Sequence, residues 1–220
     1  MRALASVPKE GNASGRPSGI PRKSCLQGGF AVSVSAASYD SFRALCRKNH
    51  PAPEEWRRAL LLAGVMRWFA EFRGFGDDGL VWAAAGMARR SGVPNDALRA
   101  AGMDEETIRL VRRERVADAD AQAPLTQEEQ MGCLLVTLDH LSELVAATAV
   151  TRPKGSVKGL KVSAVQKKFR DSRFAPQANR MTILQGARRM RWEIGDLTSK
   201  TIKAILACED EVREAAQEIA

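Results

Sequence analysis

The stretch "KVSAVQKKFRDSRFAPQANRMTILQGARRMRW", residues 161–192, concentrates the residue types best able to do chemistry in this chain. Nine cations stand in it (Lys161, Lys167, Lys168, Arg170, Arg173, Arg180, Arg188, Arg189 and Arg191) against one acid, Asp171. Phe169, Phe174 and Trp192 are interleaved with them. Cations that track a sugar-phosphate backbone and aromatic faces that lie under bases are the usual equipment for holding single-stranded nucleic acid. Helical spacing puts Val162, Val165 and Phe169 on one side of residues 161–170 and points Lys161, Lys167, Lys168 and Arg170 away from it. The same pattern also fits a solvated basic face over core aromatics.

The charge balance of the whole chain sharpens that reading. The formal net charge is +8, unevenly spread. Residues 1–50 carry a net +6, residues 51–151 a net −5, residues 152–191 a net +11 and residues 192–220 a net −4. A mildly acidic body with one strongly basic segment and a basic leader points to a polyanionic partner.

Catalysis needs a constellation that this sequence does not assemble, so the chain is expected to be neither an enzyme nor a metal or cofactor protein. There are two histidines. His50 precedes Pro51 in a connector, and His140 falls opposite the leucine stripe of its helix, where it should meet solvent. Cys25, Cys46, Cys133 and Cys208 are widely spaced with no C-x-x-C, which suggests reduced thiols in a cytosolic or nuclear setting. Asp104, Glu105 and Glu106 suit a helix N-terminus better than a cation site. No G-K-[ST] occurs, and Gly74, Gly76 and Gly79 do not make a dinucleotide loop. No run of about 18 uninterrupted apolar residues is present, so no membrane span is expected.

The elements that must position these groups read as helices throughout, an all-α fold. Residues 1–36 are rich in Gly, Ser, Ala and Pro and offer little to a core; they read as a disordered basic arm, or alternatively as an organelle transit peptide. A helix from Ser38 places Phe42, Leu45 and Cys46 on one face. "HPAPEEW" opens the next, residues 53–73, with Leu61, Leu62, Val65, Met66, Trp68, Phe69 and Phe72 on a broad inward face. Gly74 and Gly76 end it, and Asp77 or Asp78 is placed to cap a helix over 79–91. A short helix after "SGVPND" and another from Met103 or Asp104 to about Val116 follow. Residues 126–149 carry the clearest signature: a T-x-x-E capping box at Thr126 and Glu129, then Met131, Leu134, Leu135, Leu138, Leu141 and Val145 in one stripe. Beyond a linker come the basic helix near 161–170, a helix around 178–191, and a last one over about 197–219 with Ile202, Ile205, Leu206, Val212, Ala216 and Ile219 inward. The expected division is an arm (1–36), an N-terminal lobe (37–123) and a C-terminal lobe (124–220) holding the basic segment 152–191.

Three segments, "WFAEFRGFGDDGLV", "PLTQEEQMGCLLVTL" and "KKFRDSRFAP", resemble in order the aromatic–Glu-Phe–Gly-Phe–Asp–Val, Leu-Thr helix-start and basic Ser-Phe-Ala segments of phlebovirus and tenuivirus nucleocapsid proteins. The resemblance implies a two-lobed helical protein with single-stranded RNA in a basic cleft, an N-terminal arm that docks on a neighbouring subunit to form a homo-oligomer, and a cytoplasmic ribonucleoprotein or virion location. In that picture Trp68, Phe72 and Phe75 are core and the glycines a joint. Two rivals share the charge pattern. A DNA-binding regulator of plasmid or phage type would use 83–100 as a helix-turn-helix, and a structural adaptor would serve an organellar complex such as a ribosome.

Overall fold

The computed structural model describes residues 36–49, 52–117 and 122–217. The basic arm (except Ala36), His50 and Ile219 lie outside the described residues. Nine α-helices make up the described fold: α1 (Ala36–Lys48), α2 (Pro53–Phe72), α3 (Gly79–Ser91), α4 (Asn95–Ala100), α5 (Glu105–Arg112), α6 (Gln127–Val150), α7 (Val162–Arg170), α8 (Arg180–Arg189) and α9 (Ile194–Gln217). A 3-10 turn, Gly76–Asp78, joins α2 to α3, and no strand occurs among the described residues. The fold is all-α.

Local chemistry explains most of the boundaries. Pro53 occupies the first turn of α2, where its missing N–H costs nothing, and Glu54 and Glu55 face the positive end of the helix dipole. Gly74 closes α2 at φ 84°, and the N–H of Phe75 reaches back to the carbonyl of Ala70 at 2.8 Å. At the start of α6 the capping box is complete. Thr126 Oγ1 accepts from the N–H of Glu129 at 3.2 Å, and Glu129 Oε2 accepts from the N–H of Thr126 at 2.8 Å. Thr126→Ala is expected to lower stability by about 1 kcal/mol in urea denaturation, since one orphan N–H of a central helix loses its acceptor. No measurable change would mean that water replaces the hydroxyl fully.

Other boundaries differ from the sequence-based expectation. Asp78 stands before α3 but makes no side-chain cap; its carboxylate accepts instead from the Gln127 amide. The helix capped by Asp104 ends at Arg112, because Arg113 turns extended, yet Val116 is still buried. The α8 helix is shorter than 178–191, and α9 begins at Ile194. Leu206, expected inward on α9, is 45% exposed.

α6 is the central element. Its whole stripe, Met131, Leu134, Leu135, Leu138, Leu141 and Val145, is inaccessible to solvent, and α2, α3, α5, α7, α8 and α9 all pack on it. One helix among the described residues, α6, is long and apolar enough to cross a membrane by length and composition, although Asp139, His140 and Glu143 interrupt its apolar run. Here 78% of that apolar window is buried against other helices. The approach of α8 is so close that a Cβ on Gly186 would lie 1.8 Å from Thr137 Oγ1, and only glycine fits there.

α6 also carries buried charge. Asp139 accepts from Arg89 Nε at 2.8 Å and from Arg90 Nε, while Arg90 and Arg58 both approach Glu143, at 3.7 and 3.5 Å. The end of α3 is thereby tied to the middle of α6, with each buried carboxylate paired. His140, expected in solvent, is half-buried, and burial pushes its imidazole below the usual range.

The last helix returns to the first half of the chain, packing against α2. Buried side chains from Phe42 to Ala215 form one continuous cluster. That cluster draws on residues of both expected lobes, and Val116, Cys133 and Val136 form a second, smaller one.

Candidate nucleic-acid interface

α7 presents the basic face that its spacing predicts. Val165 is buried, and Val162 and Phe169 pack against the core as half-buried neighbours. Lys161, Lys167 and Arg170 are exposed, and no ion pair engages them among the described residues. Lys168 is half-buried, its ammonium 4.4 Å from the ring centroid of Phe174. Arg173 is exposed in the turn after α7, its backbone N–H held by Asp171 Oδ1 at 3.1 Å.

The remaining predicted cations serve other purposes in part. Arg180 donates to five backbone carbonyls: Ala178 and Ala175 at 2.5 and 2.6 Å, Asp171 at 3.2 Å, Phe169 at 3.5 Å, and Phe174. Arg189 is only 7% exposed and donates to the carbonyl of Ala123 at 2.9 Å, so it is an interior tether and not the surface cation its position in the basic run suggested. Arg191 is exposed, in a left-handed conformation at φ 54°, and donates to the carbonyl of Gln122. Arg188 is exposed. The structure therefore brings Lys161, Lys167, Lys168, Arg170 and Arg173 onto α7 and its following turn, and sets Arg189 and Arg191 against the segment before α6.

The aromatic residues are arranged differently from expectation. Phe69 is fully buried and Trp68 and Phe75 are half-buried, but Phe72 is 46% exposed. Trp68 and Phe72 lie parallel, 5° apart in plane, at 5.2 Å between centroids. Trp192 meets the edge of Phe72 at 6.2 Å. Two cations border this cluster. Lys200 Nζ is 5.5 Å from the Phe72 centroid and 5.3 Å from that of Trp192, and the Arg73 guanidinium is 5.5 Å from Trp192. Arg73 is oriented by Gln130 Oε1, which accepts from its Nε at 2.9 Å, and burial lowers its pKa. Phe72, Lys200 and Arg73 are absent from the sequence-based set. Phe72 could have been flagged by its place in the last turn of α2, beside the glycine exit; nothing local marks Lys200.

The two patches adjoin through α9. The Gln166 amide of α7 packs over Gly195, where an added Cβ would sit 3.4 Å from its Nε2, and Gly195 is three residues from Trp192. The junction itself carries two exposed acids, Glu193 and Asp196, on either side of Gly195.

The other residues singled out have structural employment. Asp104 caps α5 by accepting from Thr107 N–H at 2.8 Å, Glu105 pairs with Arg99, and Glu106 with Arg109. Cys46, Cys133 and Cys208 are buried, and burial pushes their thiols up to about 11, 11 and 12. Residues 83–100 form α3, a left-handed turn at Gly92 and the six-residue α4. Most of α3 is buried on all sides, and α4 spans fewer than two turns, too short for the usual recognition helix. Comparison with protein-family models, curated proteins and solved structures finds no match for this chain.

Proposed function

We propose that this chain binds single-stranded RNA without sequence preference and coats it as a self-associating, nucleocapsid-like subunit. The observation that carries the reading is the pairing of exposed cations along α7 that no ion pair engages among the described residues, Lys161 at its N-cap, Lys167 and Arg170, continued by the exposed Arg173, whose guanidinium lies 3.9 Å from Asp171, with half-exposed aromatics bordered by Lys200 and Arg73. Phosphates would follow the cations, and one base would extend the Trp68–Phe72 stack. The three segments resembling phlebovirus and tenuivirus nucleocapsid proteins fall at the α2–α3 joint, the start of α6 and the end of α7, two of them at this surface. Self-association through the N-terminal arm is part of the same proposal and rests on that resemblance.

The test is a salt titration of purified protein with fluorescent RNAs of unrelated sequence. Near-equal affinities that fall linearly in log–log salt coordinates support the reading; absence of salt-dependent binding, or preference for one duplex DNA, overturns it. Within that assay Phe72→Ala is expected to weaken RNA binding by about 1–3 kcal/mol while leaving the salt slope unchanged, because a stacking surface is lost and no charge is. Trp68 and Trp192 flank the site, so quenching of tryptophan fluorescence by RNA, and its loss in Phe72→Ala, provides a second readout.

A further inference from the structure

Arg180 is the most heavily committed side chain of the basic segment. Its guanidinium gathers the carbonyls of Phe169, Asp171, Phe174, Ala175 and Ala178, that is, the last turn of α7 and the whole turn leading to α8. This turn contains Ala175 at φ 45°, a left-handed conformation that a residue with a Cβ adopts only when its surroundings impose it. It also contains Arg173, exposed at its tip, and Phe174, which supports the ammonium of Lys168 at 4.4 Å. A fork of five N–H donors can satisfy carbonyls from several directions at once, which an ammonium on a flexible stem cannot match.

We infer that Arg180 is a positioning residue for nucleic-acid binding: it does not contact phosphate but shapes the 171–178 turn so that Arg173 and Lys168 do. The inference rests on the nucleic-acid reading and adds to it a division of labour within the basic segment. Charge alone would count Arg180 as one more phosphate contact; its hydrogen bonds assign it inward.

Arg180→Lys separates the two roles because it conserves charge. A phosphate-contacting arginine replaced by lysine keeps its counterion release, so the salt slope stays as in the wild type. A positioning arginine so replaced releases the turn, and the slope falls by about 0.7 for each contact misplaced, with affinity down roughly fivefold per contact at 0.1 M salt. The readout is the log–log salt slope for a fluorescent single-stranded RNA, with wild type, Arg180→Lys, Arg173→Gln and the double variant, all at temperatures where melting curves show folded protein. The expected result is a lower slope in Arg180→Lys, and a double variant whose loss is smaller than the sum of the two single losses. A wild-type slope in Arg180→Lys overturns the inference while leaving the nucleic-acid reading intact, and a wild type that shows no salt-dependent binding overturns both. Should Arg180→Lys fail to fold, Pro176→Gly, which frees the backbone that the proline ring fixes beside Ala175, loosens the turn without touching any charge. An unchanged slope there equally counts against the inference, and a reduced one supports it.

Discussion

Lys167→Glu combined with Lys168→Glu is expected to abolish RNA binding at physiological salt. Both lysines lie on α7, in a segment whose net charge of +11 stands between two net-negative portions of the chain. Removing two phosphate contacts should reduce the log–log salt slope by about 1.4, and the two carboxylates added in their place repel the backbone further. The fold should tolerate the change unevenly. Lys167 is exposed, so its replacement moves stability little. Lys168 overhangs Phe174, so reversing its charge gives up a cation–π contact worth about 0.5–1 kcal/mol. A circular-dichroism melt run beside the salt titration separates loss of binding from loss of fold. If the double variant binds RNA with the affinity and slope of the wild type, α7 is a solvated basic face and the adaptor reading takes the lead.

Leu138→Ala is expected to cost about 2–5 kcal/mol of folding stability. The side chain is fully buried at the middle of α6, the helix on which six others pack. Deleting three methyl(ene) groups there removes their transfer energy and leaves a cavity that neighbouring helices, held by the Asp139–Arg89–Arg90 pairs and the close crossing at Gly186, have little freedom to fill. Urea denaturation measures it. A change below about 1 kcal/mol would show that α6 can shift to close the gap, contrary to the tight crossings described.

Much of the architecture was legible without the structure, and for a local reason. The capping box at Thr126 and Glu129, Pro53 in the first turn of α2, the left-handed Gly74 and the stripe from Met131 to Val145 are all set by residues within about one helical turn of each other. Backbone hydrogen bonding and side-chain periodicity operate at that range, so the pattern of types is enough. The concentration of positive charge between 152 and 191 is likewise a property of the chain alone.

The functional surface was decided at longer range. Phe72 has the spacing of a core residue relative to Trp68 and Phe69, yet it is half-exposed because Trp192 and Lys200, over a hundred residues away, border it without covering it. Arg180 and Arg189 look like two more surface cations in the string of arginines. The folded turn offers one of them five carbonyls, and the segment before α6 takes the other inward. Asp139 is buried with its charge because two arginines at the end of α3 arrive to pair with it. Residue type and spacing determine which groups this chain can offer. Which of them face solvent depends on how distant helices pack, since burial and pairing are settled by neighbours that sequence proximity does not reveal.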